Sequence, residues 1–117
     1  MGDHSSLADD VNCYSMAMIT IGEKTVVSQG TYLCTGTHDY TTDTFRLYAR
    51  PITIGDQAWI CAQSFIMPGV IIGTGAVIGA RSVVTKSMPE WTVSSGNPCV
   101  PRKPREFKLS NPASEIA

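Results

Sequence analysis

A chain of 117 residues is one domain or part of one, and at this size a lone compact unit buries only about two-thirds of its surface, so self-association is expected. A net charge of −1 leaves no electrostatic footprint for nucleic acid or an anionic membrane, and no apolar run approaches the roughly 18–20 residues of a membrane span. The start, Met1-Gly2-Asp3-His4-Ser5-Ser6, lacks the cationic and apolar stretches of a secretory signal, and the four cysteines include no C-x-x-C pair, so a cytoplasmic protein with reduced thiols is expected.

From its first residue the chain follows a six-residue frame. An aliphatic residue comes first, often followed by Gly, then two variable residues, a small or β-branched residue, and one more. Met1, Leu7 and Cys13 open three hexads, with Ser5, Val11 and Ala17 at the fifth positions. Residues 19–20 break the frame. It resumes at Ile21, Val27 and Leu33, with Thr25, Thr31 and Thr37 fifth, and stops at His38 before an insertion over residues 39–53. Ile54, Ile60, Ile66, Ile72, Ile78 and Val84 then open hexads in unbroken succession. Their fifth positions are Ala58, Ser64, Val70, Ala76, Ser82 and Met88, and Gly55, Gly73 and Gly79 fill second positions.

One short strand cannot bury an apolar face alone. A chain that turns after every strand closes three strands into a triangular coil, and such coils stack about 4.8 Å apart as parallel ladders. The aliphatic residue then fills the interior and the fifth residue must be small to fit near a corner. Gly at the second position is expected to take backbone torsions other residues avoid. An amphipathic helix is excluded, because period six does not hold a 3.6-residue face. The predicted fold is all-β: a parallel β-helix of about four triangular coils (residues 1–18, 21–38, 54–71 and 72–89) with one protruding loop and an irregular C-terminal tail at 108–117.

The segment Ile54-Gly55-Asp56-Gln57-Ala58-Trp59-Ile60 resembles the C-terminal coils of the hexapeptide-repeat acyltransferases, as do Pro68-Gly69-Val70, Ile78-Gly79-Ala80 and Val84-Thr85-Lys86. The ending Gly96-Asn97-Pro98-Cys99 is similar to the loop by which they leave the β-helix. Thr35-Gly36-Thr37-His38-Asp39, ahead of a loop, is most similar to the maltose, galactoside and colanic-acid-biosynthesis type O-acetyltransferases; Thr37 between Gly36 and His38 favours the last of these. The resemblance covers residues 1–107 as a single domain. It implies left-handed winding, a homotrimer with sites shared between subunits, acetyl-CoA as donor, a hydroxyl acceptor on a saccharide, and no metal.

Acetyl transfer from a thioester to a hydroxyl needs a base for the hydroxyl proton and donors for the developing oxyanion. Neutral imidazole suits the first task, and the resemblance assigns it to His38, where the wall opens into the loop. Asp39 or a backbone carbonyl would orient the ring, and Asp39 would otherwise meet the acceptor. Tyr40 and Tyr48, with Phe45, offer faces for a sugar ring, and the same loop carries Arg46 and Arg50. For the donor, the resemblance implies Ala62 and Ala80 beside the pantetheine arm, Trp59 packed on it, Thr85, and Lys86 with Arg102 or Lys103 on the phosphates. The acidic residue that sugar acetyltransferases set on the acceptor falls near Met16, which cannot do that work. The rival reading is a non-catalytic β-helix that only assembles or binds a ligand. A γ-type carbonic anhydrase needs three histidines per zinc, against His4 and His38 here. Cys13 points inward by register, and Cys34 and Cys61 stand at second positions without a histidine partner, so no thiol reads as a nucleophile.

Overall fold

The computed structural model describes residues 1–106. Among them there is no helix, and fifteen short strands run in chain order. β1 (Ser6–Leu7), β2 (Asn12–Tyr14) and β3 (Ile19–Ile21) each begin a different sheet. β4 (Val26–Val27) and β5 (Tyr32–Cys34) return to the first and second. A hairpin of β6 (Gly36–His38) and β7 (Leu47–Ala49) then leaves the wall. β8 (Ile52–Ile54), β9 (Trp59–Ile60) and β10 (Phe65–Ile66) add to the third, first and second sheets, and β11 (Ile71–Ile72), β12 (Val77–Ile78) and β13 (Val83–Val84) do so again. Every pairing within these walls is parallel.

The hexad openers stack in ladders. Leu7, Val27, Ile60 and Ile78 form one, and Cys13, Leu33, Ile66 and Val84 a second. Ile21, Ile54 and Ile72 form the third, with Met88 bridged above. Together they are the core, from which the first layer stands apart: Leu7 is 41 % exposed where Val27 above it is 0 %. Cys13 holds its place under Leu33 and is likewise exposed.

The small fifth residue has a bonding reason besides its size. Thr25 Oγ1 donates to the Gly55 carbonyl at 2.7 Å, Thr31 Oγ1 to that of Cys61 at 3.2 Å, and Ser64 Oγ to that of Gly79 at 3.1 Å. Each hydroxyl thus reaches a second-position carbonyl one layer on, and the corner is closed by a part-buried bond.

The role expected of the second-position glycines is corrected. The left-handed backbone falls instead at the fourth position, at His4, Asp10, Lys24, Gly30, Gln57, Gln63, Gly69, Gly75 and Arg81, with φ between 54° and 79°. The second-position glycines are required by close approach: a Cβ on Gly55 would lie 2.6 Å from the Thr74 nitrogen, and one on Gly73 2.6 Å from that of Glu90. Gly55→Ala is therefore expected to cost about 1–3 kcal/mol in a denaturant melt, and Gln57→Gly, at a φ of 55°, to cost nothing. Equal losses would refute the assignment.

Both apparent insertions are also redrawn. Residues 19–20 and the end of 39–53 pair with each other, Ile19 with Ile52 and Thr20 with Thr53, so they lengthen the third wall. Ile52 is fully buried. The wall is left earlier than the frame implied, after Thr35, and the third hexad of that block never closes; Thr37 is half-exposed on the hairpin while Thr35 is buried. Thr35 Oγ1 donates to the Tyr14 carbonyl and accepts from the Met16 and Ala17 nitrogens, pinning the base of the hairpin to the first layer. At the other end β14 (Thr92–Gly96) joins the first sheet and β15 (Cys99–Pro104) folds back on it antiparallel, across a cis Asn97–Pro98 bond. Residues 108–117, read as an irregular tail, lie outside the described residues.

Candidate active site

His38 ends β6, paired across the hairpin with Leu47, and its ring is exposed. The chain between them turns tightly, with the Asp39 N–H donating to the Arg46 carbonyl at 2.8 Å and Phe45 held at a φ of 48°. That turn brings the Phe45 carbonyl to 2.8 Å from His38 Nδ1. A carbonyl only accepts, so Nδ1 carries the proton and, in the neutral ring, Nε2 is the basic atom. Of the two expected orienters the structure selects the carbonyl. Asp39 turns its carboxylate to the N–H and hydroxyl of Thr41, and these bonds, with help from Arg46, hold its carboxyl below the usual carboxylate range.

Two cavities meet at this hairpin. His38, Thr37, Tyr40, Tyr48, Arg50, Met67, Pro68 and Thr85 line a cleft of about 250 Å³. Asp39, Arg46, Tyr48 and Arg50 line a second of about 350 Å³, so Tyr48 and Arg50 form the wall between them. The Arg50 guanidinium lies 5.5 Å from the Tyr48 ring centre. The cleft thus gathers His38, Tyr40, Tyr48 and Thr85, which the sequence had singled out separately.

The other residues expected along the donor are not in the lining of this cleft. Trp59 and Lys103 line a groove of about 380 Å³ on the first sheet, with Val77, Val93, Pro104, Arg105 and Glu106. Trp59 is 47 % exposed, and its Nε1 donates to Ser28 Oγ. Ala62 and Ala80 lie at the corner that follows β9 and β12, the first half-buried and the second exposed. Of the two basic candidates, Lys103 lines the groove, whereas the Arg102 guanidinium donates back to the Ser95 carbonyl. Lys86 is exposed beyond β13, next to Thr85 in the chain.

Arg105 was not anticipated. Its Nη1 donates to the carbonyls of Gln57 and Gly75, and its guanidinium lies 5.7 Å from the Trp91 ring centre, which fastens the strand that walls the groove. The only signal in the sequence was a basic residue after Pro104, indistinguishable there from its neighbours. Burial pushes the Cys61 thiol up, away from the thiolate, and Cys34 Sγ donates to the Gly36 carbonyl, so neither is prepared as a nucleophile. Among the described residues no group of three or more His, Cys, Asp and Glu stands together to hold a metal, and no helix is long and apolar enough to cross a membrane.

Residues 51–86 match the family model described as bacterial transferase hexapeptide (six repeats). Over this stretch the chain carries the repeats of the hexapeptide-repeat family. An Escherichia coli K12 protein named for an acetyltransferase of colanic acid biosynthesis is 49 % identical over 100 residues, covering 86 % of this chain and 55 % of its own. A hexapeptide-repeat acetyltransferase structure from Vibrio cholerae superposes with a TM-score of 0.85 at 31 % identity, over 92 % of this chain and 62 % of that one. A maltose O-acetyltransferase from Clostridium difficile 630 does so with a TM-score of 0.76 at 32 % identity, over 89 % and 60 %. The chain spans about half the length of the named relatives it matches.

Proposed function

We propose that the chain is the hexapeptide-repeat domain, residues 1–107, of an O-acetyltransferase that moves an acetyl group from acetyl-CoA to a hydroxyl of a saccharide. The observation that carries the reading is the Phe45 carbonyl on His38 Nδ1, which leaves Nε2 basic beside a cleft walled by two tyrosines. His38 takes the proton of the acceptor hydroxyl at Nε2 as that oxygen attacks the thioester carbonyl in a ternary complex; the C–S bond then breaks and Nε2 gives the proton to the departing CoA sulfur. Build-up of positive charge on the ring strengthens the Nδ1–H bond to the carbonyl, so the orienter also stabilises the transition state. The donor supplies the activated acyl group. Trp59 and Lys103 would hold its arm and phosphates along the groove, with Ala62, Ala80, Thr85 and Lys86 at the corners.

These donor-side residues lie on different faces of one chain, as a site shared between neighbouring copies requires. The proposed assembly is accordingly a cytoplasmic homotrimer of left-handed β-helices, each of about four coils. Initial rates of CoA release from acetyl-CoA over a panel of sugars test the activity. No release with any sugar, together with no binding of acetyl-CoA, would count against it.

The hairpin turn is assigned to the acceptor. Deleting residues 41–49 is expected to raise the acceptor KM far more than the acetyl-CoA KM; equal effects on the two would remove that assignment.

A further inference from the structure

Arg46 and Arg50 stand apart from the chemistry just derived. Both are exposed on the hairpin, both line the cavity of about 350 Å³ beside Tyr48, and Arg50 also faces the His38 cleft. Neither guanidinium has a hydrogen-bonded or ion-paired partner among the described residues; Arg46 acts on the Asp39 carboxylate through space, and Arg50 approaches the Tyr48 ring. The single carboxylate in the cavity, that of Asp39, is engaged by Thr41. The cavity therefore holds two cations against one anion, whose Oδ1 accepts both Thr41 bonds and whose charge can offset at most one of them, on a chain whose net charge is −1. A neutral sugar can accept hydrogen bonds from a guanidinium but leaves both charges uncompensated. An oxyanion compensates them, and the fork of N–H donors matches carboxylate and phosphate oxygens.

We infer that the acceptor is an anionic saccharide, whose phosphate or carboxylate is held by Arg46 and Arg50 while Tyr48 sets its ring toward His38. This rests on the reading of the His38 cleft as the acceptor site. The shared wall of Tyr48 and Arg50 makes the two cavities consecutive subsites: one for the charged group, one for the hydroxyl. Phosphate and carboxylate satisfy the same donors, and the acceptor panel separates them.

The experiment compares initial rates with a neutral hexose, a hexose 1-phosphate and a hexuronate, in the wild type and in the Arg46→Gln/Arg50→Gln double variant. In the wild type, kcat/KM is expected to favour at least one anionic sugar over the neutral hexose by about tenfold or more. In the double variant that ratio falls toward one, chiefly through the KM of the anionic sugar. The preferred anionic sugar identifies the charged group. A wild-type ratio near one, or a ratio the double variant leaves unchanged, overturns the inference. If no acceptor turns over, calorimetric titration of hexose 1-phosphate and hexuronate at low ionic strength decides separately: binding that weakens about tenfold or more in the double variant upholds it. Absence of binding, or equal binding by both proteins, overturns it. A thermal melt checks that the double variant is folded.

Discussion

His38→Ala is expected to lower kcat for acetyl transfer by about 10²–10⁴-fold, with the KM of both substrates little changed. The ring does two things, and a second variant separates them. Asparagine at this position keeps a donor for the Phe45 carbonyl but has no basic atom, so His38→Asn is expected to be as slow as alanine. Were orientation of the hairpin the real contribution of His38, asparagine would recover most of the rate. Retention of more than about a tenth of wild-type turnover in His38→Ala would end the general-base reading. Both variants change an exposed side chain, so melting temperatures should stay near that of the wild type.

Much of the fold is legible because the six-residue period is a packing rule. Beyond the first layer, the aliphatic residue that recurs at one place in every hexad fills the interior, and Val27, Leu33, Ile54, Ile60, Ile66, Ile72, Ile78 and Val84 are all buried. What the period conceals is whatever departs from it. Ile19-Thr20 and Ile52-Thr53 look like extra residues when each is read alone; their mutual pairing is non-local and appears only in the stacked walls. Thr35 and Thr37 both satisfy a preference for a small fifth residue, so composition cannot tell which is buried. The hairpin decides it by drawing Gly36–His38 out against Leu47–Ala49.

The same limit applies at the site. His38 is visible as a scarce residue type at the edge of a regular pattern, and Tyr40 and Tyr48 as aromatics in the following loop. The carbonyl that fixes the ring is not visible, since every residue has one and only the turn at Phe45 selects it. Arg105 is hidden for the same reason: its partners, the carbonyls of Gln57 and Gly75, carry no side-chain identity. Backbone groups supply much of the site's geometry, and residue type is silent about them.

Leu7 and Ile60 stand in one ladder, with Val27 between them, and offer the second large effect. Ile60 is fully enclosed, with neighbours above and below, so Ile60→Ala removes buried methyl groups and leaves a void the rigid walls cannot close. Its cost is about 2–5 kcal/mol. Leu7 has Val27 on one side and is 41 % exposed, so much of its surface meets solvent already and its truncation leaves a dent open to water. Leu7→Ala is expected to cost about 1 kcal/mol or less, since the transfer loss is partial and no cavity forms. Stacked layers exchange energy mainly with their neighbours, so Ile78→Ala, one layer beyond Ile60, should cost as much as Ile60→Ala and more than Leu7→Ala. Denaturant melts of the three variants measure this directly. Equal losses at Leu7 and Ile60 would mean that the first layer is as well packed as the middle, against the exposures that separate them here.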